Sequence, residues 1–178
     1  VRLQRTNDIG HFNFAELRVF GNLQPSLTST PSPTNTSSPT ITSTPSPTST
    51  PSPTAIPDIN VAINKPATTS SVWGNGFGAS EGNDNDLTSL WASASNNTPN
   101  PDLNPWWQVD LQASYRISRI ELVARQDQYQ HAPSRQYFEV QASNTSDFST
   151  YTVLSSQGSS IFPEYGTWTQ SVTDQTTY

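Results

Sequence analysis

Cysteine and methionine are both missing from the 178 residues. Without cysteine there is no disulfide framework and no thiolate chemistry. A chain of this length can bury enough surface without bridges, so the absence does not exclude an oxidising, extracellular setting. The lack of methionine implies that any initiator residue lies outside these residues or has been removed, and no targeting signal is expected within them. Positive charge is scarce: 8 Lys and Arg stand against 14 Asp and Glu, a net charge of -6. No basic patch exists to neutralise phosphates, which argues against a nucleic-acid partner. No apolar run approaches the ~20 residues of a membrane helix, so no membrane span is expected. The two histidines fall in no metal or triad spacing and the carboxylates are scattered. Nothing in the motifs suggests catalysis, and the expectation is a protein that is not an enzyme.

What is present divides into two compositions. Ser, Thr and Pro make up almost all of residues 23–57, and the unit TSTPSPT recurs at Thr28, Thr42 and Thr48. Such a stretch cannot bury enough apolar surface to offset its ordering entropy, and Pro biases it to polyproline II. At ~3.1 Å per residue it can extend on the order of 100 Å. Dense Ser/Thr beside Pro is the composition of O-glycosylated stalks outside the cell, with Thr30, Thr34, Thr44, Thr48 and Thr50 as candidate acceptors. A bare spacer is the alternative. Asn35, Asn96 and Asn144 stand in Asn-x-Ser/Thr sequons.

Residues 58–178 contain short β-prone runs: WWQVDL from Trp106, RISRIELVA from Arg116, YFEVQAS from Tyr137, YTVLSS from Tyr151 and GTWTQSV from Gly166. Asn, Gly, Pro, Ser and Asp separate them and no helical period appears. This spacing predicts an all-β sandwich or barrel. The first residues, VRLQRT, also alternate apolar and polar as a half-buried strand does.

The segments NVAINKPATTSS, NDNDLTSLWAS, NPWWQVDL and ISRIELVARQD, in that order from Asn60, resemble the discoidin family. That family comprises the coagulation factor five and eight C-type domains, galactose-binding modules of glycosidases and the F-type lectins. The resemblance implies a jelly-roll β-sandwich of about eight main strands, with binding loops at one end. The family's two closing strands match VRLQRT at Val1 and FNFAELRVFG at Phe12 to Gly21. Writing TDQTTY before VRLQRTNDIGHFNFAELRVFG therefore restores a family C-terminus.

The resulting expectation has three parts. Residues 1–22 are closing strands that complete an adjacent repeat, 23–57 a linker, and 58–178 a discoidin-like domain lacking its last strands. Truncation would leave open sheet edges and an exposed apolar core; the continuous junction favours a covalent tandem array, with strand exchange between chains as the alternative. The last two give a head-to-tail polymer.

The resemblance also implies a structural cation at EGNDNDLTS. Asp84, Asp86 and Thr88 supply hard oxygen donors that suit Ca²⁺, with Glu16 of the last strand joining them; a solvated acidic turn is the alternative. For sugar binding, Arg125 and Asp127 match the lectins' Arg-x-Asp run and Arg135 corresponds to their second arginine. The loop Ala94 to Pro105 holds no histidine, and His131 is the candidate substitute. A salt bridge supporting the loop is the other reading of Arg125 and Asp127. Trp73, with Phe77 among glycines, can stack on a sugar face or pack against a neighbouring copy.

The expected function is a repeat unit of an extracellular fibre or stalk, whose partners are neighbouring copies of itself. The alternative is a carbohydrate-binding module of a secreted adhesin or glycosidase, whose partners are glycans.

Overall fold

The computed structural model describes residues 1–7, 11–24, 58–95, 99–173 and 177–178. The candidate acceptors Thr30, Thr34, Thr44, Thr48, Thr50, Asn35 and Asn96 lie outside the described residues, as does residues 25–57 of the linker. Val1–Gln24 and Asp58–Tyr178 together form one compact unit.

That unit is a β-sandwich. The strands are β1 (Arg2–Arg5), β2 (Asn13–Phe14), β3 (Glu16–Leu23), β4 (Ile59–Asn60), β5 (Ala67–Thr69), β6 (Trp91–Ala92), β7 (Trp106–Val109), β8 (Tyr115–Val123), β9 (Phe138–Ala142), β10 (Thr152–Gln157) and β11 (Thr167–Ser171). One sheet has the order β10-β9-β1-β7-β5 and the facing sheet β11-β8-β3-β4, while β2 and β6 form a short ribbon. All their pairings are antiparallel. Each of the five β-prone runs forms a strand, so the all-β jelly-roll expectation holds.

Period-two alternation decides which side chains face inward. Leu3 and Arg5 of β1, Trp107 and Val109 of β7, and Phe138 and Val140 of β9 are all buried. The facing sheet contributes Leu17, Val19, Ile117, Ile120 and Leu122. Ile117 and Ile120 are three apart, which would put them on opposite faces of a regular strand. The register shifts between Phe20 and Gly21, which pair with Arg119 and Ile117. Ser118 is the extra residue of a β-bulge, and the bulge returns both isoleucines to the core. Gly21 permits it: a Cβ there would stand 2.6 Å from the Arg116 carbonyl oxygen.

An aromatic cluster fills one end of the core. The Phe12 and Trp91 ring centroids are 5.9 Å apart, Phe14 and Trp91 5.4 Å, and Phe14 and Trp107 5.6 Å. The buried indoles donate to carbonyls, Trp91 to Ser71 and Trp107 to Ala79, so neither N–H is left without an acceptor.

The N-terminal strands assigned above to the completion of an adjacent repeat are seated in this chain's own sheets. Strand β1 lies between β9 and β7, and β3 between β8 and β4. The physical reason is burial. Leu3, Phe12, Phe14, Leu17 and Val19 are each at most 1% exposed, and each contributes about 1.5–3 kcal/mol of burial. A sandwich without them would open both sheets at their centres.

Candidate functional site

Strand direction sorts the loops to two ends. Residues following β1 and β8 lie at one end, and residues preceding those strands lie at the other. At the first end, three separate segments bring together His11, Trp73, and the loop that carries Arg125, Asp127 and His131.

Arg125 is 9% exposed and aims its guanidinium along its own loop. Its Nε donates to Asp127 Oδ1 and its Nη2 to Oδ2, both at 2.6 Å. This planar fork holds the Asp127 carboxyl well below its usual range, helped by the Tyr129 backbone N–H. Gln130 closes the turn by donating to the carbonyls of Arg125 and Asp127 at 2.6 and 2.9 Å. The pair is thus both a loop brace and a polar surface, because the Asp127 side chain remains 42% exposed.

Arg135 is placed differently from expectation. It is 5% exposed and donates to Phe162 O, Gln130 Oε1 and Glu164 Oε1 at 2.9, 3.1 and 3.3 Å. Its guanidinium clamps two loops together beneath the site.

His131 does face the site, and it has a partner absent from the sequence-based set: His11, which lies between β1 and β2. Their rings meet edge to face with centroids 5.1 Å apart. His11 Nδ1 lies 2.9 Å from Ser93 O, so that nitrogen carries the proton and Nε2 accepts from Asn13 Nδ2 at 2.9 Å. Ser134 Oγ accepts from the Asn13 N–H at 3.1 Å and stands 2.8 Å from His131 Nδ1. Ser134 Oγ and His131 Nδ1 share one hydrogen bond, in which the imidazole tautomer decides the donor. Burial pushes His131 down to about 4, and the positive charges of His11, Arg5, Arg125 and Arg135 act in the same direction. Burial also lowers His11, partly offset by its bond to Ser93. Both shifts favour the neutral imidazole.

Trp73 is 51% exposed. Its ring centroid lies 6.2 Å from that of His11 and 5.0 Å from that of Phe77. No spacing rule in the sequence points to His11. It is 120 residues from His131 in sequence, and only the seating of the N-terminal strands brings the two rings together.

The expected cation site has a different form. Asp84 Oδ1 accepts from the Asp86 N–H, and both Asp84 oxygens accept from Ser89 Oγ. Asp86 Oδ1 accepts from the N–H and hydroxyl of Thr88. Among the described residues Glu16, fully buried, accepts from the Asn85 N–H alone, at 3.3 and 3.2 Å. Burial pushes its carboxyl up to about 7, and the charges of Asp84 and Asp86 add to the rise. Among the described residues no three His, Cys, Asp or Glu form a metal-holding group. What fits a hard cation is the donor chemistry: an all-oxygen loop above a buried carboxylate that lacks a positive partner in contact.

At the opposite end, a cavity of about 480 Å³ is lined by Val1, Asp110, Asn144, Phe148 and Tyr178, among others. Asn144, the one sequon asparagine described, donates to Thr177 O at 3.1 Å. The Val1 nitrogen donates to Val109 O at 2.9 Å. Tyr178 exchanges both backbone hydrogen bonds with Tyr115.

The family model described as NedA-like, galactose-binding domain, of the F5/F8 type C group, matches residues 79–177. Trp73 and His11 lie outside that span. Comparison with curated proteins and with solved structures returned no match.

Proposed function

Because the chain belongs to the NedA-like, galactose-binding family of F5/F8 type C domains, we propose that it is a non-catalytic carbohydrate-binding module acting outside the cell. It takes a galactose-like sugar at the loop end. The observation that carries this reading is the convergence of His11, Trp73, and the loop bearing Arg125, Asp127 and His131 from three segments of the chain. Asp127 accepts from sugar hydroxyls, and its bond to Arg125 fixes the oxygens in one plane before ligand arrives. His131 Nε2 exchanges a hydrogen bond with a sugar hydroxyl. The Trp73 face covers the apolar side of the pyranose. Burial favours the neutral form of both histidines, which suits a neutral sugar.

Titration calorimetry with galactose tests the reading. Wild type binds, and Asp127→Ala weakens binding at least about tenfold while the fold, read by circular dichroism, is kept. A folded wild type that binds neither galactose nor any sugar on a glycan array would refute it.

A second reading, that the module is one bead of an extracellular fibre, is favoured by the far end. Val1 and Tyr178 line one cavity there, and each makes strand-type backbone bonds. In that arrangement β1 and β3 close the bead of their own chain, and successive beads are joined in tandem. Ser/Thr/Pro segments, O-glycosylated at residues such as Thr30 and Thr44, then space the beads. Denaturing mass measurement after glycan removal decides it: covalent multiples of the 19.5 kDa unit support the array, and a single 19.5 kDa species refutes it. Ca²⁺ held by Asp84, Asp86, Thr88 and Glu16 is part of either reading, tying the last strand to the loop before β6.

A further inference from the structure

The Arg125–Asp127 pair has a counterpart at the same end of the sandwich. Arg135, buried like Arg125, donates to Glu164 Oε1 at 3.3 Å. In both pairs the carboxylate stays open to solvent, with side chains 42% exposed at Asp127 and 57% at Glu164. An exposed tyrosine stands beside each. Tyr129 is 67% exposed and its N–H donates to Asp127 Oδ1 at 3.1 Å; Tyr165, the residue after Glu164, is 51% exposed. The remaining described ion pairs lack this construction: their arginines, Arg18 and Arg119, lie on β3 and β8 and are partly exposed.

The loop that carries Glu164 and Tyr165 is fixed from both sides. The Phe162 N–H donates to Arg135 O at 3.2 Å, and Arg135 Nε donates back to Phe162 O at 2.9 Å. The Gly166 N–H donates to Pro163 O at 3.2 Å, while Gly166 O accepts from the Ala124 N–H at 2.9 Å. A Cβ on Gly166 would stand 2.9 Å from Pro163 O, so this turn needs glycine. Tyr165 is held at φ +56, in the left-handed region that tyrosine rarely adopts. Gln130 joins the two pairs: its Nε2 donates to the carbonyls of Arg125 and Asp127, and its Oε1 accepts from Arg135 Nη1 at 3.1 Å. One guanidinium thus holds both Gln130 and Glu164.

We propose that Glu164 and Tyr165 form a second sugar subsite beside that of Asp127, so that the ligand is a galactose-containing disaccharide unit rather than a single galactose. The inference rests on the carbohydrate-binding reading above and extends it to ligand class. Glu164 accepts from hydroxyls of the second unit, and the Tyr165 ring covers its apolar face. Trp73 stays with the first unit. Tyr129, whose ring centroid lies 5.9 Å from the Arg125 guanidinium carbon, borders that unit on the Asp127 side. Both carboxylates are paired with arginine, so each offers acceptor oxygens without an uncompensated charge, which suits neutral hydroxyls. Because Arg135 holds the loop before ligand arrives, little ordering cost opposes binding there. Arg135 is accordingly a positioning residue.

The test titrates the methyl galactosides of both anomers, and a panel of galactose-terminated disaccharides differing in linkage, into the full chain. In wild type at least one disaccharide binds at least about tenfold more tightly than the methyl galactoside of the same anomer. In Tyr165→Asn, a residue that the left-handed backbone tolerates, the ratio of those two affinities falls to near one. The ratio is the readout, so any change in galactoside binding itself does not confuse it. Saturation-transfer NMR on wild type needs no variant: protons of the second unit receive saturation as those of galactose do. Equal affinity for methyl galactoside and every disaccharide overturns this inference and leaves the single-sugar reading standing. A preference that survives unchanged in Tyr165→Asn also overturns it, as does a second unit that receives no saturation. No binding of any galactoside removes both.

Discussion

Acidification should weaken the loop end, and His131 lets the effect be calculated. Its imidazole falls from 6.5 to about 4 on folding, because it is buried and faces His11, Arg5, Arg125 and Arg135. A base whose pKa is depressed in the folded state contributes stability above its unfolded pKa, and that stability is lost as pH falls toward the folded value. At 1.36 kcal/mol per unit, complete protonation corresponds to roughly 3 kcal/mol, of which about 2 is lost between pH 7 and pH 5. Solvent screening of a half-buried ring reduces the expectation to about 1–2 kcal/mol. Glu16 acts in the opposite sense over the same interval. Its carboxyl, raised to about 7, is more stably buried once protonated, so its contribution grows as pH falls. The wild-type pH profile is therefore a sum of opposing slopes, and the informative quantity is a difference. Urea unfolding at pH 7 and pH 5 with chelator present, in wild type and His131→Gln, measures it. The variant should lose about 1–2 kcal/mol less than wild type on acidification. Identical losses would refute the placement of His131 among those charges.

Three further outcomes follow from the same geometry. Gly21→Ala forces a Cβ to 2.6 Å from the Arg116 carbonyl oxygen, so it should destabilise by about 1–3 kcal/mol in urea unfolding. Leu17→Ala, at a position 0% exposed in β3, should cost about 2–5 kcal/mol, which shows by the same assay that the N-terminal strands are part of the core. Added Ca²⁺ should raise the thermal midpoint of wild type but not of Glu16→Gln; an equal rise in both would mean that Glu16 is not a ligand.

Much of the fold was legible because strand patterning is local. The runs at Trp106, Tyr115, Phe138, Thr152 and Thr167 carry alternation, β-branched and aromatic residues, and turn residues on either side. Irregularities were less legible. Ile117 and Ile120 violate the alternation, and only the bulge opposite Gly21 reconciles them. At the site, Arg125 and Asp127 were readable from an adjacent motif, and their fork is formed within one loop. Arg135 was matched to the lectins' second arginine by resemblance alone, yet it turned inward because Phe162 O, Gln130 and Glu164 offered partners.

The sequence by itself determined the all-β class, the absence of thiol chemistry, the acidic balance and the family, since composition, alternation and ordered motifs are properties of neighbouring residues. Only the tertiary structure decided what the loop end contains. His11 and His131 are far apart in sequence, and they meet because β1 pairs between β9 and β7 while Phe12 and Phe14 are drawn into the aromatic core. Likewise, Glu16 reaches the Asp84–Asp86 loop because burial of Leu17 and Val19 fixes the strand that carries it. Hydrophobic burial of the strands, rather than any attraction between the polar groups, brings those groups together.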